Sequence, residues 1–347
     1  MSWIDTTYER EMLLFFKSKL GDIIGKELFE KYTSIRIAME EDGVFGEIKG
    51  KEPGLTDHSE KHVKDVLERA YQLIGDFNKR DLTVYEVYIL ALMILFHDLG
   101  NISGRTNHDS PQRIMKLYSK YRINHTKYKL EKRVIANGAS AHSGKSKNQC
   151  YDTLKFVDNN SSIENGYRIR LQELAAILRF ADELAEGPQR TCSFAVENND
   201  FPEKDNIIYH EYALITNIFI DRQRGRISVT YCFDIDEQID EEKQANFKEL
   251  LKLTFRRCLK LELERRYSKY HSEIIKPFKE ISIKYDFNID NNPDLIDFDQ
   301  IIIEDKYPVP DSILKENKGD DEVNILTYIP ELEPDSLISK INSLIEV

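Results

Sequence analysis

Residues Thr83–Gly100, TVYEVYILALMILFHDLG, constrain the fold of this chain more than any other stretch. Thr83 and Glu86 form a T-x-x-E capping box, an apolar run follows from Val84 to Leu99, and Gly100 stands where a helix-ending C′ glycine belongs. A helix that is apolar nearly all round has no face to give to solvent, so it must be central and other helices must surround it. Two further stretches supply such helices. Asp57 with Glu60 marks a start, after which Val63, Val66, Leu67, Ala70, Leu73 and Ile74 recur at helical spacing. From about Arg168 to Ala185, the residues Leu171, Leu174, Ala175, Leu178 and Ala181 share one face, and Gly187 with Pro188 ends the helix. The expected class is mainly α, built as a helical bundle.

Polar residues at particular places on these helices carry the chemistry. His97 and Asp98 are adjacent at the end of the apolar helix. Burying an imidazole beside a carboxylate is costly unless something satisfies both, and a divalent cation would. His58 and His62, four residues apart, would share one helical face. Asp182, in ILRFADELAEG, is again a carboxylate in an apolar surround. Three helices thus each offer a ligand of metal type: His62, then His97 with Asp98, then Asp182. Mixed imidazole and carboxylate ligands suit Mn²⁺, Fe, Co, Ni or Zn²⁺, with Mg²⁺ less natural. Each group taken alone could instead be satisfied by hydrogen bonds or exposure.

The order H…HD…D, carried by DHSEKHVKDVLERA, LMILFHDLGNISGRTNH and LAAILRFADELAEGPQRT, resembles the HD-domain superfamily of metal-dependent phosphohydrolases over about residues 50–195. That resemblance implies an HD-domain helical bundle in which His62, His97, Asp98 and Asp182 form one metal site. RTNHDSPQRI contributes His108 and VIANGASAHSGK contributes His142. Extra histidines in this interval are similar to those of the two-metal branch, such as the HD-GYP phosphodiesterases. This implies two divalent ions, with Asp98 bridging them and His108 and His142 on the second. Two ions about 3.5–4 Å apart can clamp the attacking and leaving oxygens of a phosphoryl group, with a bridging hydroxide as nucleophile. The GYP signature and its paired histidines are absent.

DHSEKHVKDV is also similar to the YHNxxHAxDV pattern of class I cyclic-nucleotide phosphodiesterases, with Asp57 where that pattern has Tyr. The likeness implies that His58 protonates the leaving oxygen, a task imidazole suits near neutral pH. Many superfamily members carry Lys three positions after the HD aspartate, and here Asn101 stands there. Cations for the substrate's phosphoryl oxygens would come from Arg105, Arg113, Lys145 and Arg190, close in sequence to the motifs.

The function expected from these residues is metal-dependent hydrolysis of a phosphoester or phosphoanhydride bond in a nucleotide-like substrate by a metal-bound hydroxide. His58 and Asp98 would be the catalytic residues. A second reading is a nucleotide-sensing or protein-interaction module that keeps the metal site and little turnover. A third is a di-iron oxygenase using the same ligands. The chain has 347 residues, and Lys plus Arg (49) against Asp plus Glu (61) gives a net charge of −12. An extended nucleic-acid surface rests on accumulated Lys and Arg, so the expected partner is a small phosphorylated or nucleotide ligand.

The chain divides at about residue 195 into an HD-type domain (1–195) and an α+β C-terminal region (196–347). In the latter, Ile227, Val229, Tyr231 and Phe233 alternate with polar residues, and Asn217–Ile220 precedes them across a turn containing Gly225. This reads as a small β-hairpin, to which Ile207–Ile215 could add a strand. Helical spacing follows from Glu237 to about His271, ended near Pro277. Residues 286–300, rich in Asp and Asn, read as a loop, and Leu337, Ile338, Ile341, Leu344 and Ile345 mark an amphipathic tail helix. This region could support self-association. The longest uninterrupted apolar run, Ile89–Phe96, is eight residues, against about 18 for a membrane span. The start MSWIDTTYERE lacks a signal pattern, and the four cysteines (Cys150, Cys192, Cys232, Cys258) form no CxxC pair. A cytoplasmic protein without a membrane partner is therefore expected.

Overall fold

Helix α1 (Thr7–Leu20) begins at a capping box between Thr6 and Glu9. The buried Glu9 carboxylate also accepts from the Tyr32 hydroxyl at 2.8 Å and pairs with Arg36. One acid thus starts α1 and ties it to α2 (Asp22–Glu41). The computed structural model describes residues 4–51, 56–104, 108–142, 152–198, 206–305, 325, 326 and 328–345. The chain divides into two compact units, one of residues 1–53, 57–185 and 267–277, the other of residues 54–56, 186–266 and 278–347.

The first unit continues with α3 (Val44–Lys51), α4 (Glu60–Ile74), α5 (Val84–Phe96), α6 (Pro111–Tyr121) and α7 (Lys129–Ser140). A two-stranded ribbon, β1 (Ser161–Ser162) with β2 (Arg168–Ile169), leads into α8 (Leu171–Leu184). The expected Thr83–Glu86 capping box is present, and Glu86 additionally receives Arg170 through Nε at 2.8 Å and Nη2 at 2.9 Å. The start of α5 is therefore pinned to the start of α8. Helix α5 packs against α1, α2, α4, α7 and α8. The segment Val84–Ser103 is apolar enough by composition to cross a membrane, yet 89% of its apolar window is buried inside the protein. At the α5–α7–α8 crossing, a Cβ on Gly138 would stand 2.6 Å from Met93 Cε and 2.7 Å from Leu171 Cδ1, so α7 needs its glycine there.

Three local readings of the first unit change. The α-helix stops at Phe96, and Leu99–Ser103 form a 3₁₀ turn, so Gly100 lies inside that turn and does not take the left-handed conformation of a C′ glycine. His58 precedes α4: Ser59 is the N-cap, and Asp57 Oδ1 accepts the Ser59 N–H at 2.7 Å. Residues 168 and 169 are strand, and the helix starts at Leu171.

In the second unit α9 (Ser193–Glu197) and α10 (Ile207–Ile215) precede β3 (Thr216–Asp221) and β4 (Arg226–Ile235), which pair antiparallel with Asp221 opposite Arg226. Ile207–Ile215 is helix where a strand was expected. Its run IIYHEYALI fits either period, and Thr216 ends it with a hydroxyl bonded to Tyr212 O at 2.6 Å. Helix α11 (Glu241–His271) then returns the chain so that β5 (Glu280–Ile289) pairs parallel to β4 along its whole length. Its residues Thr254 and Cys258 bond to Tyr285 and Tyr231 of the sheet at 3.0 Å and 3.2 Å. Residues 286–300 are not a loop. Tyr285, Phe287 and Ile289 are buried while Asp286 and Asn288 alternate with them, so the Asp and Asn residues are the polar side of a strand. Asp290 and Asn291, with φ of 48° and 60°, make the two-residue turn into β6 (Asn292–Ile296), and β7 (Ile301–Glu304) pairs with the other half of β5. The sheet thus has five strands, more than the small hairpin read from sequence. Helix α12 (Pro334–Ile345) buries Leu337, Ile338 and Ile341, and Asn342 bonds both backbone groups of Ile239 at 2.8 Å and 3.0 Å. Cys192, Cys232 and Cys258 are free thiols.

Candidate metal centre

The end of α5 sets the centre. Because α5 is held on all sides, its last turn delivers His97 and Asp98 into the interior, 0% and 6% exposed. Helix α4 delivers His62 (1% exposed) and the last turn of α8 delivers Asp182. His62 Nε2 lies 3.0 Å from Asp182 Oδ1, 3.4 Å from His97 Nε2 and 3.7 Å from Asp98 Oδ2. His97 Nε2 lies 3.5 Å from Asp98 Oδ2 and 3.7 Å from Asp182 Oδ1. Ligand atoms about 2.0–2.2 Å from one ion stand about 3.0–3.5 Å apart along the edges of its coordination polyhedron, which is the spacing here.

The other carboxylate oxygen of Asp98 faces a second set. Asp98 Oδ1 is 3.5 Å from His142 Nε2 and 3.9 Å from His108 Nε2. His58 joins through Nδ1, 2.8 Å from Asp98 Oδ2. Three groups that could hold a metal ion result: His62, His97 and Asp182; Asp98, His108 and His142; His58, His62 and Asp98. Within each, all ligand atoms lie within 4.8 Å of one another.

The tautomers suit this use. His97 Nδ1 donates to Ile94 O at 2.7 Å, and His142 Nδ1 donates to Ala139 O at 2.6 Å. Each neutral ring therefore turns the lone pair of Nε2 toward the acids, as metal-ligating histidines do. Lone pairs converging with carboxylate oxygens repel unless a cation or a proton sits among them, so the donor set fits divalent ions. Without a metal, protons take that place. Burial alone would pull His97 below the usual imidazole range, but Asp98 and Asp182 outweigh it and push it up to about 9. Burial opposes the ionisation of both acids. His97 and His58 nonetheless hold Asp98 well below the usual carboxylate range, and hydrogen bonds from His62 and His97 do so for Asp182.

The sign of the pH dependence follows. Metal-free His97 carries a proton below pH about 9, and an incoming ion must displace it. Metal affinity should therefore rise with pH, by about tenfold per unit from this one group, and level off above 9. Calorimetric titration of Mn²⁺ near pH 7 in buffers of different ionisation heat should show proton release. Binding without proton release would contradict the assignment of His97.

A family model, HD-CE, matches residues 52–264, more than half of the chain. The chain belongs to the HD-CE family. No curated protein and no solved structure matches it. The HD-CE span covers all seven residues of the centre and runs on through β3, β4 and most of α11.

The remaining positions singled out in the HD-CE chain are placed less tightly. Arg113 is half-buried on the first turn of α6. Arg190 is buried in the second unit, with Nη1 3.7 Å from Glu186 Oε2. Arg105 and Lys145 lie outside the described residues. Asn101, in the 3₁₀ turn, is 3% exposed, and its backbone N–H bonds to Asp98 O at 3.0 Å.

Two supports of the centre were not read from sequence. A Cβ on Gly100 would stand 1.7 Å from His108 O, so only glycine lets the His108 backbone approach the HD turn. Buried Arg179, one turn before Asp182, donates to Thr153 Oγ1 at 2.8 Å, which donates to Ala141 O at 2.9 Å, next to His142. The arginine inside the apolar string AAILRFADEL was the visible sign of that brace.

Proposed function

We propose that this HD-CE chain is a metal-dependent hydrolase that cleaves a phosphoester or phosphoanhydride bond in a nucleotide-like substrate, with a two-metal histidine set of the HD-GYP kind. The observation that carries the reading is Asp98, whose Oδ2 faces His62 and His97 while its Oδ1 faces His108 and His142. His62, His97, Asp182 and Asp98 would hold one ion; Asp98, His108 and His142 would hold the other. Bound divalent ions supply an acidified water as nucleophile and positive charge for the phosphoryl oxygens. The chain's own groups do the rest. His58 keeps its Nδ1 on Asp98, and its Nε2 transfers the proton to the leaving oxygen. Arg105, Arg113, Lys145 and Arg190 are the proposed cations for the substrate.

His58→Ala should leave metal content unchanged and lower turnover by about 10²–10⁴-fold, the usual worth of a positioned proton donor. Elemental analysis beside steady-state rates checks this, and a fall in metal content would make His58 a ligand instead.

One feature favours a second reading, a nucleotide sensor with little turnover: buried Asn101 stands where many members of the superfamily carry Lys. Chelator-stripped full-length protein, restored with Mn²⁺ and given a panel of nucleotides, separates the two. Release of phosphate or nucleoside supports the hydrolase. Melting shifts with a nucleotide and no product would overturn it in favour of the sensor.

A further inference from the structure

Near the N-terminal end of α5, a cavity of about 110 Å³ lies among residues of α2, α5, α7 and the 163–167 turn. Tyr88, on its wall, is eight residues from Phe96, which is about 12 Å along the helix from the HD end. Arg122 lines this cavity and is 6% exposed, yet its Nε and Nη2 have no hydrogen-bond partner among the described residues. Its guanidinium lies over the Tyr128 ring, 4.1 Å from the centroid. Glu131 Oε1 stands 3.6 Å from Nε, beyond hydrogen-bond reach, and already accepts the Tyr118 hydroxyl. Glu164 is also engaged, on the backbone N–H groups of Leu130 and Glu131 at 2.7 Å and 3.1 Å.

Two buried donors without an acceptor are costly, and the Nε–Nη2 edge of a guanidinium presents two parallel N–H bonds that match the two oxygens of a carboxylate. The rest of the wall is flat and aromatic: buried Tyr88, and Tyr85 stacked on Tyr167 at 3.8 Å between centroids. Tyr167 and Ile24 are exposed at the rim, so a ring can enter without full enclosure. Glu131, so close to Nε, favours a ligand with one negative charge over a dianion such as phosphate. We propose that this cavity is a second ligand site, which takes a small planar ring bearing one carboxylate, gripped by the free edge of Arg122 against the tyrosine walls.

Calorimetric titration of benzoate into the full chain tests this. The expected result is saturable binding of one benzoate per chain, unchanged by chelator. Arg122→Gln should weaken it by about tenfold or more, the usual effect of losing a charge-assisted hydrogen bond. Tyr167→Glu, at the exposed rim and so safe for folding, should weaken it as well by placing a like charge at the mouth. Benzyl alcohol, with the ring but no carboxylate, should not bind. The proposal is overturned if benzoate does not bind saturably, if chelator abolishes its binding, or if inorganic phosphate displaces it at lower concentration. It also fails if Arg122→Gln melts like the native chain and binds benzoate equally well. Should Arg122→Gln not fold, unchanged binding by Tyr167→Glu overturns it.

Discussion

Asp98→Ala should empty the centre: metal content falls to the level of a chelated control, and hydrolysis falls by at least about 10³-fold, the scale of losing a principal charge stabiliser at an active site. The reason is the division of labour within one carboxylate. Oδ2 stands within 3.7 Å of both His62 Nε2 and His97 Nε2, and Oδ1 within 3.9 Å of both His142 Nε2 and His108 Nε2. Removing it takes a ligand from both sets at once. By contrast, Asp182→Ala touches only the first, because Asp182 faces His62 and His97. Asp98→Asn controls for shape: it keeps the size of the side chain, loses the charge, and should also fail to load. Elemental analysis of the three variants against native protein gives the comparison. An Asp98→Ala chain that keeps its metal and its rate would end the shared-ligand account.

Gly100→Ala should remove the second set and spare the first. Its new Cβ would lie 1.7 Å from His108 O, so the His108 backbone must retreat by more than about 1 Å to reach an ordinary contact. His108 already sits at the far edge of its set, 3.9 Å from Asp98 Oδ1. Retreat should weaken the second ion by about 10–100-fold, the range seen when the supports of a metal ligand are disturbed. The first ion, held by groups on α4, α5 and α8, should stay. Gly100→Asn separates this from the helix-ending role: asparagine tolerates a left-handed cap but not a close backbone approach. Both variants should bind one ion per chain in a titration. Two ions of native affinity in Gly100→Asn would return Gly100 to a capping role.

The parts of this centre that could be read from sequence are those where a charge interrupts an apolar helix. His97 and Asp98 end a run with no solvent face, and Asp182 ends ILRFADEL, so both had to be satisfied from inside the protein. The helical spacing around His62 placed it on a buried face, and the structure puts it there. What stayed hidden depends on partners distant in sequence. Gly100 reads as a helix stop until His108 O is seen against it. The Thr153 hydroxyl has no meaning without Arg179 on one side and Ala141 O on the other. Asp286 and Asn288 read as loop residues until β5 is paired with β4, when they become the polar side of a strand. Residues of α10 failed for the opposite reason. Ile207, Ile208, Leu214 and Ile215 give no clear period, and packing decided between helix and strand.

The central claim is that one aspartate holds two ions, and anomalous diffraction from crystals of the Mn²⁺-loaded full chain tests it most directly. The account predicts two peaks about 3.5–4 Å apart, one beside Oδ2 of Asp98 with His62, His97 and Asp182, the other beside Oδ1 with His108 and His142. A single peak, or two peaks of which only one touches Asp98, would contradict it.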